Sequence, residues 1–144
     1  MTKEEHAAYV FSEGMNCAQS VVSSFSEDYG VDESLACKIA GGLGGGARSA
    51  ELCGAASGAT LVIGLKYGQE KIGDAEAKQK CGEETIEFMR RFRAANGSIV
   101  CRDLLECDIS TDEGKEIALS KNLFTTKCKD LVVSATSILI DMGY

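Results

Sequence analysis

The stretch Ala50-Glu51-Leu52-Cys53-Gly54-Ala55-Ala56-Ser57-Gly58-Ala59-Thr60-Leu61-Val62-Ile63-Gly64-Leu65-Lys66 decides how this chain folds. It predicts a helix over about 50–66 that is apolar nearly all round, and such a helix is a central, buried one. Gly54 and Gly58 are four apart, as are Ala55 and Ala59. Small residues at that spacing let a neighbouring backbone come close. In a soluble chain this means tight internal packing or a subunit contact. The apolar part, Leu52 to Leu65, falls short of the roughly 20 residues that a membrane span needs.

The segments on either side also read as helices. Thr2-Lys3-Glu4-Glu5 is a capping box that opens a helix to Glu13. Asn16 caps a second helix, to about Asp28, in which Cys17, Val21 and Phe25 form an apolar stripe. Asp32 caps a short third helix through Ala40. A long helix runs from Asp74 to about Ala95 with Cys81, Phe88, Met89 and Phe92 inward, and Asn96-Gly97 breaks it. Ser98 caps a short helix through Glu106, and 112–123 is a weaker helical segment. Leu131, Val132, Ala135, Ile138, Leu139 and Met142 give the last helix, from Thr126 to about Met142, a continuous stripe. No strand, repeat or linker is evident. The expectation is a single all-α domain over 1–144, a bundle of about six to seven helices.

Composition limits the partners. Net charge is −7, with 15 Lys and Arg against 22 Asp and Glu. Nucleic acids and anionic membranes select clustered basic residues, so neither is expected as a partner. The short run Arg90-Arg91-Phe92-Arg93 reads as a solvated helix face. The N-terminus lacks an apolar signal core, so a cytoplasmic, reducing location is expected. There, seven cysteines suggest redox work or metal binding rather than permanent disulfides.

The cysteines divide into two groups. Cys17, Cys53, Cys101 and Cys128 each follow a Ser, Thr, Asn or glycine-rich helix-start signal. A thiol in a first helical turn feels the positive end of the macrodipole, which favours thiolate. At least one of the four is therefore expected to have a lowered pKa. Cys37, Cys81 and Cys107 fall inside or at the end of helices. No CxxC pair is present, so zinc-ribbon and thioredoxin motifs are absent. In one unbroken helix Cys101 and Cys107 would be roughly 9 Å apart, too far for a disulfide unless the helix ends early.

Gly42-Leu43-Gly44-Gly45-Gly46-Ala47 fits GxGxxA but follows a helix rather than a strand, so the dinucleotide fingerprint lacks its context. Gly44, Gly45, Gly46 and Arg48 instead suggest an anion-binding or close-packing loop. His6, the single histidine, reads as a surface residue, and no carboxylate pair stands out for acid–base work.

Asn16-Cys17-Ala18-Gln19-Ser20-Val21, the glycine tract 41–46 with Leu52-Cys53-Gly54-Ala55-Ala56-Ser57-Gly58, Gly97-Ser98-Ile99-Val100-Cys101, and Cys128 together resemble a family named for its cysteine pattern, C_GCAxxG_C_C, and described as redox-active. The resemblance spans nearly the whole chain and selects the same four cysteines. It implies a redox-active or metal-binding role. No CxxCH motif is present, so haem is not implied.

The leading expectation is an oxidoreductase-type protein in which Cys17, Cys53, Cys101 and Cys128 cluster and pass electrons through reversible disulfides, with an electron partner that the sequence does not name. The second is a binding module in which the same four hold a [2Fe–2S] cluster or zinc. The third is a homodimeric interaction protein built on the small-residue helix.

Overall fold

The computed structural model describes residues 1–144. It is all-α, with eight α-helices and no strands. They are α1 Lys3–Ser12, α2 Cys17–Ser23, α3 Glu33–Ile39, α4 Gly54–Tyr67, α5 Ala75–Asn96, α6 Cys101–Leu105, α7 Asp112–Ser120 and α8 Lys127–Asp141. No helix is long and apolar enough to cross a membrane.

Several starts follow the local rules. The Thr2 hydroxyl accepts from the Glu5 amide at 3.0 Å while the Glu5 carboxylate accepts from the Thr2 amide, closing the capping box. Asn16 and Gln19 form a second reciprocal box at the head of α2. Asp32 and Asp74 cap α3 and α5.

Other boundaries differ from the sequence reading, each for a backbone reason. The helix expected to reach Asp28 ends at Ser23, and a 3-10 turn over Ser26–Tyr29 follows. The helix expected from Ala50 starts only at Gly54, because Ala47, Arg48 and Ala50 all have left-handed backbone angles. Ser49 therefore caps nothing; its hydroxyl donates to the Ala47 carbonyl. Ser98 does not cap α6 either, since Val100 occupies the cap position. Thr126 precedes α8, but its hydroxyl donates backwards to Asn122.

The buried apolar residues form two clusters. The larger has 21 members and takes Phe25, Val62, Ile63, Phe88, Phe92 and Leu139 into its centre. The smaller holds Ala50, Cys101, Leu105, Ile109 and Ala118. Helix α4 packs against α2, α5 and α8. It is buried from Gly54 to Ala59, but Thr60, Leu61, Gly64 and Leu65 are half-exposed. Burial all round thus holds only for its first half.

The small-residue stripe is used inside the chain. A methyl group on Gly58 would lie 2.7 Å from the Ala18 carbonyl oxygen and 2.8 Å from the Ala18 Cα. Backbones of α2 and α4 therefore touch at this point, and the stripe is not free to serve as a subunit contact. Gly64, by contrast, has open space where a methyl would go. Replacing a mid-helix glycine with alanine gains up to about 1 kcal/mol in helix propensity, whereas overpacking costs about 1–3 kcal/mol. Gly64→Ala should thus stabilise the protein by about 0.5–1 kcal/mol, and Gly58→Ala should destabilise it by about 1–2 kcal/mol net. Urea unfolding of the two variants checks this; equal effects would contradict the packing.

Candidate functional site

The four cysteines chosen from sequence come to one place. Cys17, Cys53, Cys101 and Cys128 all line a single cavity of about 360 Å³. It lies between the two apolar clusters: Cys53 is a member of the larger with Cys17 packed against it, and Cys101 is a member of the smaller with Cys128 packed against it.

A short backbone pairing aligns Cys53 with Cys101. Leu52 and Val100 form an isolated antiparallel bridge. The Cys53 amide donates to the Ile99 carbonyl at 2.8 Å, and the Cys101 amide donates to the Glu51 carbonyl at 2.6 Å. On each strand the residue after the bridge is a cysteine that starts a helix, Cys53 as the cap of α4 and Cys101 as the first residue of α6. Arg102 fixes the same corner, donating to the Ala50 carbonyl and pairing with Glu51.

Cys17 is held from the other side. The Asn16 side chain donates to the carbonyls of Ala40 and Gly41, and Gln19 donates to the Cys37 carbonyl. These bonds tie the head of α2 to the end of α3 and the glycine tract. A methyl on Gly54 would lie 2.7 Å from the Cys17 sulfur, so only glycine leaves room for that thiol. Cys128 arrives in the first turn of α8, its amide donating to the Leu123 carbonyl.

Of the expected anion loop, Gly44, Gly45 and Arg48 line the cavity. Gly46 does not. Its φ is +64°, and a methyl there would meet the Glu51 amide nitrogen at 2.3 Å, so it serves the turn. His6 is half-buried rather than on the surface, bridging Ser24 and Glu33 away from the cavity. Arg90 follows the expectation of a solvated face and pairs with Glu87.

Three of the four thiols have pKa values raised rather than lowered. Burial pushes the Cys53 thiol up to about 11; the neighbouring Cys17 adds to the rise, while the Ala55 and Ala56 amides oppose it. Burial takes Cys101 up to about 12, with Cys53, Cys17 and Cys107 adding and Arg102 opposing. Cys128 is raised strongly, by burial and then by Cys17, Cys53, Cys101 and Cys107. The magnitudes explain the outcome. A helix N-terminus favours an anion by about 0.3–1 kcal/mol. The rise of Cys53 from 9.0 to about 11 corresponds to roughly 3 kcal/mol. Burial and mutual repulsion therefore win.

The sequence reading leaves Cys107 outside the four-cysteine site, able to approach Cys101 only if the helix ends early, and the helix does end early. Helix α6 stops at Leu105 because Glu106 turns left-handed, with φ +56°. The chain then brings Cys107 back against the cluster that holds Cys101, where Cys128 also packs. A non-glycine residue at positive φ leaves no local signal. Lys115 and Phe11 also line the cavity and were likewise unmarked. Cys37 and Cys81 lie elsewhere, in α3 and α5.

All seven cysteines are free thiols. No three His, Cys, Asp or Glu side chains are grouped so that they could hold a metal ion. The four cavity thiols as arranged do not fit a zinc ion or a [2Fe–2S] cluster, both of which need a closed set of sulfur ligands.

An all-α chain with four cysteines facing one apolar cavity defines a thiol-lined helical protein. The chain belongs to the C_GCAxxG_C_C family, whose model matches residues 15–142 and is described as "Putative redox-active protein (C_GCAxxG_C_C)". No curated protein and no solved structure matches it.

Thiols held protonated by burial stabilise the fold only while they stay protonated. Their folded pKa lies above the unfolded value of about 8.5, so stability is full below that pH and falls as pH rises towards 11 and 12. Chemical unfolding between pH 7 and pH 11 should show this decline, and Cys53→Ala should flatten it. A stability that rises over this range would contradict the assignment.

Proposed function

We propose that the protein is a thiol oxidoreductase that passes electrons by forming and breaking disulfides among Cys17, Cys53, Cys101 and Cys128. The observation that carries this reading is the meeting of the four in one cavity, a pair at each apolar cluster. The absence of a metal-holding group favours it over the metal module.

Cys17 is the half-buried member beside buried Cys53. In thiolate form it attacks one sulfur of a substrate disulfide. The S–S bond breaks, one half leaves as thiolate, and Cys17 holds the other half as a mixed disulfide. The leaving thiolate takes the proton of Cys53. The Cys53 sulfur then attacks the Cys17 sulfur and releases the second half, which is protonated from water. Two protein thiols are oxidised to one disulfide and one substrate disulfide is reduced to two thiols.

Cys101 and Cys128 form the second pair. Repulsion from Cys17 and Cys53 opposes ionisation of both. Once Cys17 and Cys53 are joined, neither can carry charge, and the second pair ionises more readily. The thiolate that attacks in the second oxidation therefore forms more easily once the first is complete.

Equilibration with a series of glutathione redox buffers, followed by acid quenching and thiol counting, tests this. The wild-type protein should lose four of its seven thiols at the oxidising limit. Cys17→Ser should abolish the first pair, so that only two of its six remaining thiols are lost. A count that stays at seven would contradict the proposal.

A further inference from the structure

The wall of the cavity carries a charge opposite to that of the chain. The chain has 22 Asp and Glu against 15 Lys and Arg. None of the 18 residues lining the cavity is acidic, and two, Arg48 and Lys115, are cations. Neither pairs with a carboxylate, unlike Arg102 beside the same turn, which pairs with Glu51. Two unpaired cations facing an apolar concavity attract anions and focus their approach.

Arg48 is held there at a cost. Ala47, Arg48 and Ala50 have φ of +58°, +61° and +56°. Each non-glycine residue in this region costs about 1–2 kcal/mol. The bonds from Arg102 to Ala50 and Glu51, and from the Cys101 amide to Glu51, hold the strained turn in place. The positive ends of the long helices α4 and α8 also open here, through Cys53 and Cys128. Phe11, Leu104, Ile109, Phe124 and Leu131 supply the apolar part of the wall.

The size and depth of the site select the kind of molecule. A volume of about 360 Å³ is within the range of small-ligand sites. Cys53 and Cys101 are buried, with 5% and 7% exposure. A small molecule inside the cavity reaches these two sulfurs as well as the half-buried Cys17.

We infer that the cavity binds a small organic anion with an apolar body, held by Arg48 and Lys115. Resting on the disulfide reading above, its substrate is then an anionic low-mass disulfide. Reduction proceeds as written above: the substrate S–S bond breaks, two anionic thiols leave, and the Cys17–Cys53 bond forms.

Two reagents of like reactivity and different charge test this, the dicarboxylate dithiobis(nitrobenzoate) and the neutral dithiodipyridine. The readout is the ratio of their second-order rate constants with the full chain. Arg48→Gln and Lys115→Gln should each lower that ratio by roughly tenfold, and added salt should lower it in the wild type. Benzoate should slow the neutral reagent by occupying the cavity. Both substitutions are at exposed positions, so loss of fold does not mask the result. An unchanged ratio in both variants, or no effect of benzoate, overturns the anion site even if internal disulfides form. A lowered ratio with mixed disulfides only supports the anion site and overturns the disulfide reading.

Discussion

The site depends on one backbone pairing, the antiparallel bridge between Leu52 and Val100. Its two hydrogen bonds, Cys53 to Ile99 and Cys101 to Glu51, are the only ladder contact in an otherwise helical chain. They place two helix starts side by side and both cysteines at one end of the fold. The left-handed turn at 47–50 lets the chain enter that bridge from the glycine tract. Without the pairing, α4 and α6 would have no reason to begin at the same place. A buried amide left without its partner costs about 1–3 kcal/mol, so the bridge is strongly favoured once the surrounding core has formed.

Burial then sets the chemistry. The four thiols meet in an apolar cleft where charge is expensive, and Cys17 and Cys53 raise the cost of ionising Cys101 and Cys128. Cys53, Cys101 and Cys128 therefore rest as protonated thiols. In the proposed disulfide chemistry such a site would give up protons with its electrons.

Much of this was legible in the sequence. The capping boxes at Thr2 and Asn16, the Asp32 and Asp74 caps and the stripe of α8 are local signals, and each appears where local rules put it. The close approach at Gly58 was readable as small-residue spacing. The four cysteines could be picked out because each precedes or enters a helix, although only Asn16 caps in the expected way. The thiol pKa values could not be read, because they depend on burial and on neighbours remote in sequence. The start of α4 and the end of α6 were hidden for a similar reason. Left-handed Ala47, Arg48, Ala50 and Glu106 are imposed by tertiary contacts, and nothing in their side chains announces them. Lys115 was invisible as a site residue because only the folded chain brings α7 to the cavity.

The most direct measurement is peptide mapping of the fully oxidised chain by mass spectrometry, after free thiols are blocked in acid. The account predicts two linked pairs, Cys17 with Cys53 and Cys101 with Cys128, and blocked thiols at Cys37, Cys81 and Cys107. A linkage through any of those three, or no linkage at all, would contradict it.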